Sequence, residues 1–210
     1  MNRKLVAKSN FVLRRVLNTK ENIDIIKDFI ESILGIEIEE IKQNEYLRKK
    51  EKYLPSEENF GVVDCRIKTT NGEEINIGIQ CVDGIYIQTK MLLYYSQIHL
   101  NQLEYDDNRE FARTITINLL DFNYFETKNY EKKITIETNE KNVKSKEIEL
   151  HVIELPKIKY NTDKMNKKKE WITYMEGSNI KEIEKITARN KYINKLDKQL
   201  EYYWQNETME

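Results

Sequence analysis

The chain has 210 residues, enough for one ordinary domain with a real core and a tight fit for two, and 35 Lys+Arg balance 36 Asp+Glu. That balance excludes a wholly basic nucleic-acid coat and an acidic disordered tail, so any nucleic-acid surface has to be a local patch. With 39% hydrophobic residues, 6 Gly and 2 Pro, the composition is that of a folded globule.

No run approaches the ~20 apolar residues of a membrane-spanning helix, so no membrane partner is expected. With only 2 His and 2 Cys there is no zinc-type cluster. No Gly-rich phosphate loop and no Gly-x-Ser-x-Gly elbow occurs. Cys65 and Cys81 lie in apolar runs without a signal peptide ahead of them, which predicts buried thiols and a cytoplasmic protein.

In chain order, Phe11 to Leu17 (FVLRRVL) reads as a short helix with Arg14 and Arg15 on its polar side. A second helix is predicted from Asn22 to Leu34, where Ile25, Ile26, Phe29, Ile30, Ile33 and Leu34 recur at helical spacing and Gly35 supplies a C-cap. Ile36, Ile38 and Ile41 hint at period two, and Asn44 to Glu58 reads as a loop or an irregular strand.

From Gly61 the pattern is strictly alternating: Val63, Cys65 and Ile67 on one strand, then Ile75, Ile77, Ile79 and Cys81 on the next, joined at Asn71-Gly72. Residues directly opposed in an antiparallel pair share a face, so two odd-numbered apolar faces require partners with an even sum. A two-residue turn at Asn71-Gly72 would give an odd sum. The hairpin is therefore expected to have a three-residue or bulged loop, which puts Asp64, Gly78 and Gln80 together on one face.

Beyond the hairpin, Ile87 to Leu103 is predicted as a helix with Met91, Leu92, Tyr95, Ile98 and Gln102 on its apolar stripe and Lys90, Tyr94 and Gln97 on a flanking polar edge. Thr114 to Leu120 and Ile148 to Leu155 read as buried strands, the second stopped by Pro156. Lys128 to Lys146 reads as a loop or exposed hairpin, and Ile180 to Trp204 as one long helix or two shorter ones. His99 and His151 are expected to be satisfied structural histidines.

The hairpin is where chemistry is expected. Metal-dependent nucleases hold Mg2+ with carboxylates beside the scissile phosphate, where the ion neutralises developing charge and activates water. Asp64 offers one such ligand, Ile79 a backbone carbonyl and Gln80 a polar partner, whereas Gly78 offers only backbone. Glu74 lies four residues back along the strand, about 13 Å away, too far to replace a ligand at 78. Arg14, Arg15, Arg66, Lys68 and Lys90 are candidates for a phosphate-contacting rim, with Tyr94 and Tyr95 stacking or packing nearby, against the alternative of an ordinary solvated face.

Several segments in order resemble the Rpn family of recombination-promoting nucleases, transposase-associated members of the PD-(D/E)XK nuclease superfamily. They are VVDCRI, NGEEINIGIQ, KMLLYYSQIHLNQLEYDD, ITINLLDFNYF, LHVIELPKI and KKKEWITYM. The resemblance implies an α/β fold with a restriction-endonuclease-like core, a central mixed β-sheet flanked by helices, over residues 1–176, and a C-terminal helical extension over 177–210. It implies a Mg2+-dependent DNA endonuclease of mobile-element or phage-defence origin, with Asp64 as metal ligand and Asp64, position 78 and Gln80 as the catalytic set.

The chain departs from the family pattern where the second strand should end Ile-Glu-x-Gln, because Gly78 takes the place of the Glu. In the early segment NFVLRRVL, Asn10 stands at an acid position, Leu13 at an aromatic and Arg14 at a lysine. Two altered acid positions favour natural divergence over a single introduced change. Mg2+ binding is then expected to be weak or lost and cleavage impaired. The alternative is a non-catalytic binding module, antitoxin-like or an inhibitor of a nuclease or defence system. The Ile/Leu stripe of the tail raises the further expectation of a protein partner or a homodimer.

Overall fold

The computed structural model describes residue 17 and residues 19–43, 62–82, 86–100, 112–137 and 144–207. The predicted helix at Phe11 to Leu17, with Arg14, Arg15 and Asn10, and the stretch Asn44 to Glu58 lie outside the described residues, apart from Leu17, which is buried.

A 3-10 turn at Lys20–Asn22 leads into α1, Ile23–Leu34. Ile25, Ile26, Phe29, Ile30 and Ile33 are buried on one face, as their spacing requires. Gly35 ends the helix at φ 68°, its N–H bonded to the Glu31 carbonyl, a left-handed cap that glycine adopts without a Cβ penalty. β1 follows at Ile38–Gln43, then β2 at Val62–Thr69 and β3 at Glu74–Val82.

The β2–β3 hairpin has the even-sum register that the alternation demands: Ile67 opposes Ile75 and Asp64 opposes Gly78. Its loop is Thr70-Asn71-Gly72, closed by Thr69 N–H to the Glu73 carbonyl and Gly72 N–H to the Thr69 carbonyl, each at 2.9 Å. Gly72 sits at φ 86°, the left-handed step that reconnects a three-residue loop to the ladder.

α2 covers Ile87–Leu100. β4 is Arg113–Leu120, β5 Glu131–Glu137 and β6 Lys144–Glu154, so the polar stretch from Lys128 contains an edge strand of a hairpin. A 3-10 turn at Leu155–Tyr160 carries Pro156 in its first turn, and α3 (Lys167–Glu176), α4 (Ile180–Arg189) and α5 (Lys191–Glu207) complete the order.

Among the described residues the strands form one mixed six-stranded sheet in the order β1-β2-β3-β4-β6-β5. β3, β4 and β6 are parallel to one another, whereas β1, β2 and β5 pair antiparallel with their neighbours. The odd-numbered face carries Ile67, Ile75, Ile77, Ile115, Ile117, Leu119 and Ile153 and packs against α1, α3, α4 and α5. On the even-numbered face Leu120, Leu150 and Val152 pack against Ile87, Met91 and Tyr95 of α2. The result is a central mixed sheet with helices on both sides.

Two features of α2 differ from the sequence expectation. Leu92, placed on the apolar stripe, is 58% exposed, and Tyr94, placed on the polar edge, is 2% exposed. Among its described residues the buried ones are Ile87, Met91, Tyr94, Tyr95 and Ile98, and Gln102 of the predicted stripe lies outside the described residues. With aromatic side chains at 94 and 95, hydropathy alone could not choose between two stripes about one residue apart, and contact with the sheet selected the one that buries both rings.

α3 is anchored by Trp171, fully buried, whose ring meets Phe29 edge-on at 5.3 Å and whose Nε1 donates to Asp28 Oδ2 at 2.8 Å. The tail is two helices, although it contains no Gly or Pro. At the break the Asn190 N–H bonds the Ile186 carbonyl, ending α4, while its Oδ1 accepts from Tyr192 N and Ile193 N, starting α5. Asn190 Nδ2 also donates to Glu170 Oε2 at 2.9 Å, tying the break to α3.

Candidate functional site

Register across three strands assembles the candidate site. Asp64 on β2 faces Gly78 on β3, and Gly78 lies beside Thr116 on the parallel strand β4. The next row is Val62, Gln80 and Asn118, and the preceding row is Arg66, Asn76 and Thr114. Opposed residues have Cα atoms about 5 Å apart in an antiparallel pair. A carboxylate at position 78 would thus be an immediate neighbour of Asp64.

The sheet therefore brings Asp64, Gly78, Gln80 and Arg66 onto one face, the face that α2 covers. Arg66 is half-buried there, and Lys90 is half-buried on α2. Arg14 lies outside the described residues.

Sequence reasoning missed the contribution of β4. Thr116 and Asn118 are fully buried, and Asn118 Nδ2 donates to Thr116 Oγ1 and to the His151 carbonyl, both at 3.0 Å. They form a polar strip in register with Gly78 and Gln80. The signal was present as alternation, with Thr114, Thr116 and Asn118 interleaving Ile115, Ile117 and Leu119, but a β-branched run reads first as plain buried strand.

The two histidines are satisfied. His99 on α2 lies with Nδ1 3.0 Å from Thr114 Oγ1 and its ring stacked on Tyr95 at 5.7 Å. His151, on the opposite face of the sheet, has Nε2 2.6 Å from Glu149 Oε1 and Nδ1 3.4 Å from Glu131 Oε1. Glu149 also receives Arg113 at 2.5 Å and Lys133 at 2.8 Å, and Glu131 receives Lys168 of α3 at 2.9 Å.

Burial by itself would raise the Glu149 carboxyl, but hydrogen bonds from His151, Lys133 and Arg113 hold it well below the usual carboxylate range. Burial likewise works against the His151 imidazolium, yet the flanking carboxylates of Glu131 and Glu149 outweigh it and raise its pKa. Every acid in this group already faces a cation, so it reads as a structural clamp joining β4, β5, β6 and α3.

Along the paired rows of β2, β3 and β4, 62/80/118, 64/78/116 and 66/76/114, position 64 is the one that carries a carboxylate. Mg2+ gives up its waters reluctantly and is held through carboxylates with near-octahedral geometry. Among the described residues no group of three or more His, Cys, Asp or Glu could hold a metal ion.

The hairpin followed by a covering helix and a parallel strand, with the polar rows on β2, β3 and β4, defines the class: an α/β protein of nuclease-like fold. Residues 7–210 match the sequence model of the PD-(D/E)XK nuclease family transposases. The chain belongs to that family. No curated protein and no solved structure matches it. Among the described residues no helix is long and apolar enough to cross a membrane.

Proposed function

We propose that the chain is a DNA-directed protein that has kept the architecture of a Mg2+-dependent endonuclease of the Rpn type while its cleavage is weakened or lost. The observation that carries this reading is the direct pairing of Asp64 with Gly78. The position where a second carboxylate would share an ion with Asp64 has no side chain. DNA is the expected partner because the family consists of nucleases, and the rim would be Arg66 and Lys90, joined by Arg14. A cytoplasmic setting, in a mobile element or in phage defence, belongs to the same reading.

A second reading is a non-catalytic module that binds or inhibits another protein through the degenerate nuclease fold. It is favoured by Leu92, Leu93 and Leu100, all more than half exposed on the helix that covers the site face. The tail helices are the alternative contact, as a homodimer.

The test is supercoiled-plasmid cleavage in Mg2+ or Mn2+ by the parent, by Gly78→Glu, and by Gly78→Glu combined with Asp64→Ala. The expected result is little or no cutting by the parent, a gain with Gly78→Glu, and loss of that gain in the double variant. Cutting by the parent that disappears on Asp64→Ala refutes the loss of activity. An inert Gly78→Glu together with no DNA binding at low salt removes the nuclease reading altogether.

A further inference from the structure

The chain leaves β4 at Leu120 and re-enters the sheet at Glu131 on β5, which lies on the far side of β6. Residues 121–130 therefore cross the carboxyl end of β6, and they do so with no helix or strand. Leu120 is in register with Val82, so the crossing starts one residue past the row that follows Gln80 and Asn118. Its Phe122 and Phe125 pack into the cluster of Ile87, Met91, Tyr95 and Leu120, on the sheet face shared by Asp64, Gly78 and Gln80.

This irregular segment is held by a buried ion pair. Glu154 is fully buried and Lys157 is 3% exposed, and they meet at 2.7 Å. The Glu154 carboxylate accepts the N–H groups of Tyr124 and Phe125, and Lys157 Nζ donates to the Phe125 carbonyl at 2.5 Å. The Glu154 N–H donates to the Tyr130 carbonyl at 2.8 Å. Desolvating two charges is costly, and here both serve to fix the main chain of a surface crossing.

The side chain of Tyr124 is not needed for that anchorage. Tyr124 is 36% exposed, and its ring is braced edge-on against Phe125 at 4.9 Å. Charge gives the segment little grip on phosphate, since Asp121 and Glu126 outnumber Lys128. What it presents at the carboxyl edge of the sheet is an aromatic ring on a clasped main chain, which loses little backbone freedom when a planar group stacks on it.

We propose that the 121–130 crossing is a nucleic-acid contact in which Tyr124 stacks on an unpaired base of a strand lying over the carboxyl edge of the sheet. This rests on the nucleic-acid reading above and adds the element and the type of contact. Base–aromatic stacking needs a free π-face on the nucleic acid, so a single strand is the ligand that reports it.

The experiment measures fluorescence anisotropy of a labelled short single-stranded oligodeoxynucleotide, and of the same sequence as a duplex, at low salt. Tyr124→Ala and Tyr124→Leu are expected to weaken single-strand binding by about five-fold or more, with Tyr124→Trp retaining it and duplex affinity moving far less. Equal weakening on both probes, no change with Tyr124→Ala, or a Tyr124→Trp variant as weak as Tyr124→Leu overturns the stacking role. A parent that binds neither probe overturns the nucleic-acid reading itself, and the stacking role falls with it, whereas a parent that binds both with Tyr124 indifferent sinks only the latter.

Discussion

His151 is the residue whose environment can be read most directly as a response to pH. It is 7% exposed and lies between Glu149 and Glu131, with Lys133 its cross-strand partner on β5, Arg113 of β4 bound to Glu149, and Lys168 of α3 bound to Glu131. Its pKa is raised in the fold, because the two carboxylates outweigh burial. A group raised on folding contributes stability that is fully present below its unfolded value and is lost as pH rises through the folded value. Glu149 and Glu131 are lowered, and their contribution is lost as pH falls through their folded values. Stability should therefore decline on both sides of a mildly acidic window. Urea unfolding of the parent from acid to mildly alkaline pH should show the decline above about pH 6.5, the unperturbed histidine value, and His151→Gln should flatten that limb and also shrink the acid one, because His151 helps to hold Glu149 and Glu131 low. A parent curve flat through neutrality would mean that the imidazole is neutral in the fold.

At the scale of elements, the parts readable in the sequence are those in which one periodicity has a single physical solution. α1 has one apolar face and a glycine at its end, and the β2–β3 hairpin could satisfy two odd-numbered apolar faces only with an even register, which is what puts Asp64, Gly78 and Gln80 on one face. α2 was ambiguous because two aromatics adjoin, and the tail break was hidden because Asn190 does by side-chain bonding what Gly or Pro usually does by backbone preference. That bonding predicts a cost. Asn190→Ala removes the cap of α5 and leaves Glu170 Oε2 without its amide donor, so it should lower stability by about 1–2 kcal/mol. Asn190→Asp keeps the capping oxygen but sets a carboxylate beside Glu170, and should recover less than the full loss. Chemical denaturation with an unchanged m-value reads both. An Asn190→Ala variant as stable as the parent would show that the break is set by packing of Ile186 and Ile193 alone.

Across the whole molecule, the site and the scaffold are legible to different degrees. The shared face of positions 64, 78 and 80 follows from local parity, whereas the exact pairing of 64 with 78, the polar strip of Thr116 and Asn118, and the crossing of 121–130 over β6 depend on loop geometry and strand order, which no local pattern encodes. The Glu154-Leu-Pro-Lys157 stretch shows the difference well. In sequence it is a strand end followed by a proline; in the fold its two charges close on each other and on the crossing chain from thirty residues earlier.

Because the pair is almost wholly excluded from water, removing one member leaves the other charge buried without compensation. Lys157→Met alone should then cost about 3–5 kcal/mol, far more than an exposed pair of the same type. Replacing both, as Glu154→Gln with Lys157→Met, removes the uncompensated charge and leaves a neutral amide oxygen to accept the Tyr124 and Phe125 N–H groups, so the double variant should be more stable than Lys157→Met. A double-mutant cycle in urea measures the coupling, and amide exchange at Tyr124 and Phe125 reports whether the crossing has loosened. If the two single variants add to give the double, the pair is not the clasp of the crossing, and the rigidity of the 121–130 segment must come from Phe122 and Phe125 instead.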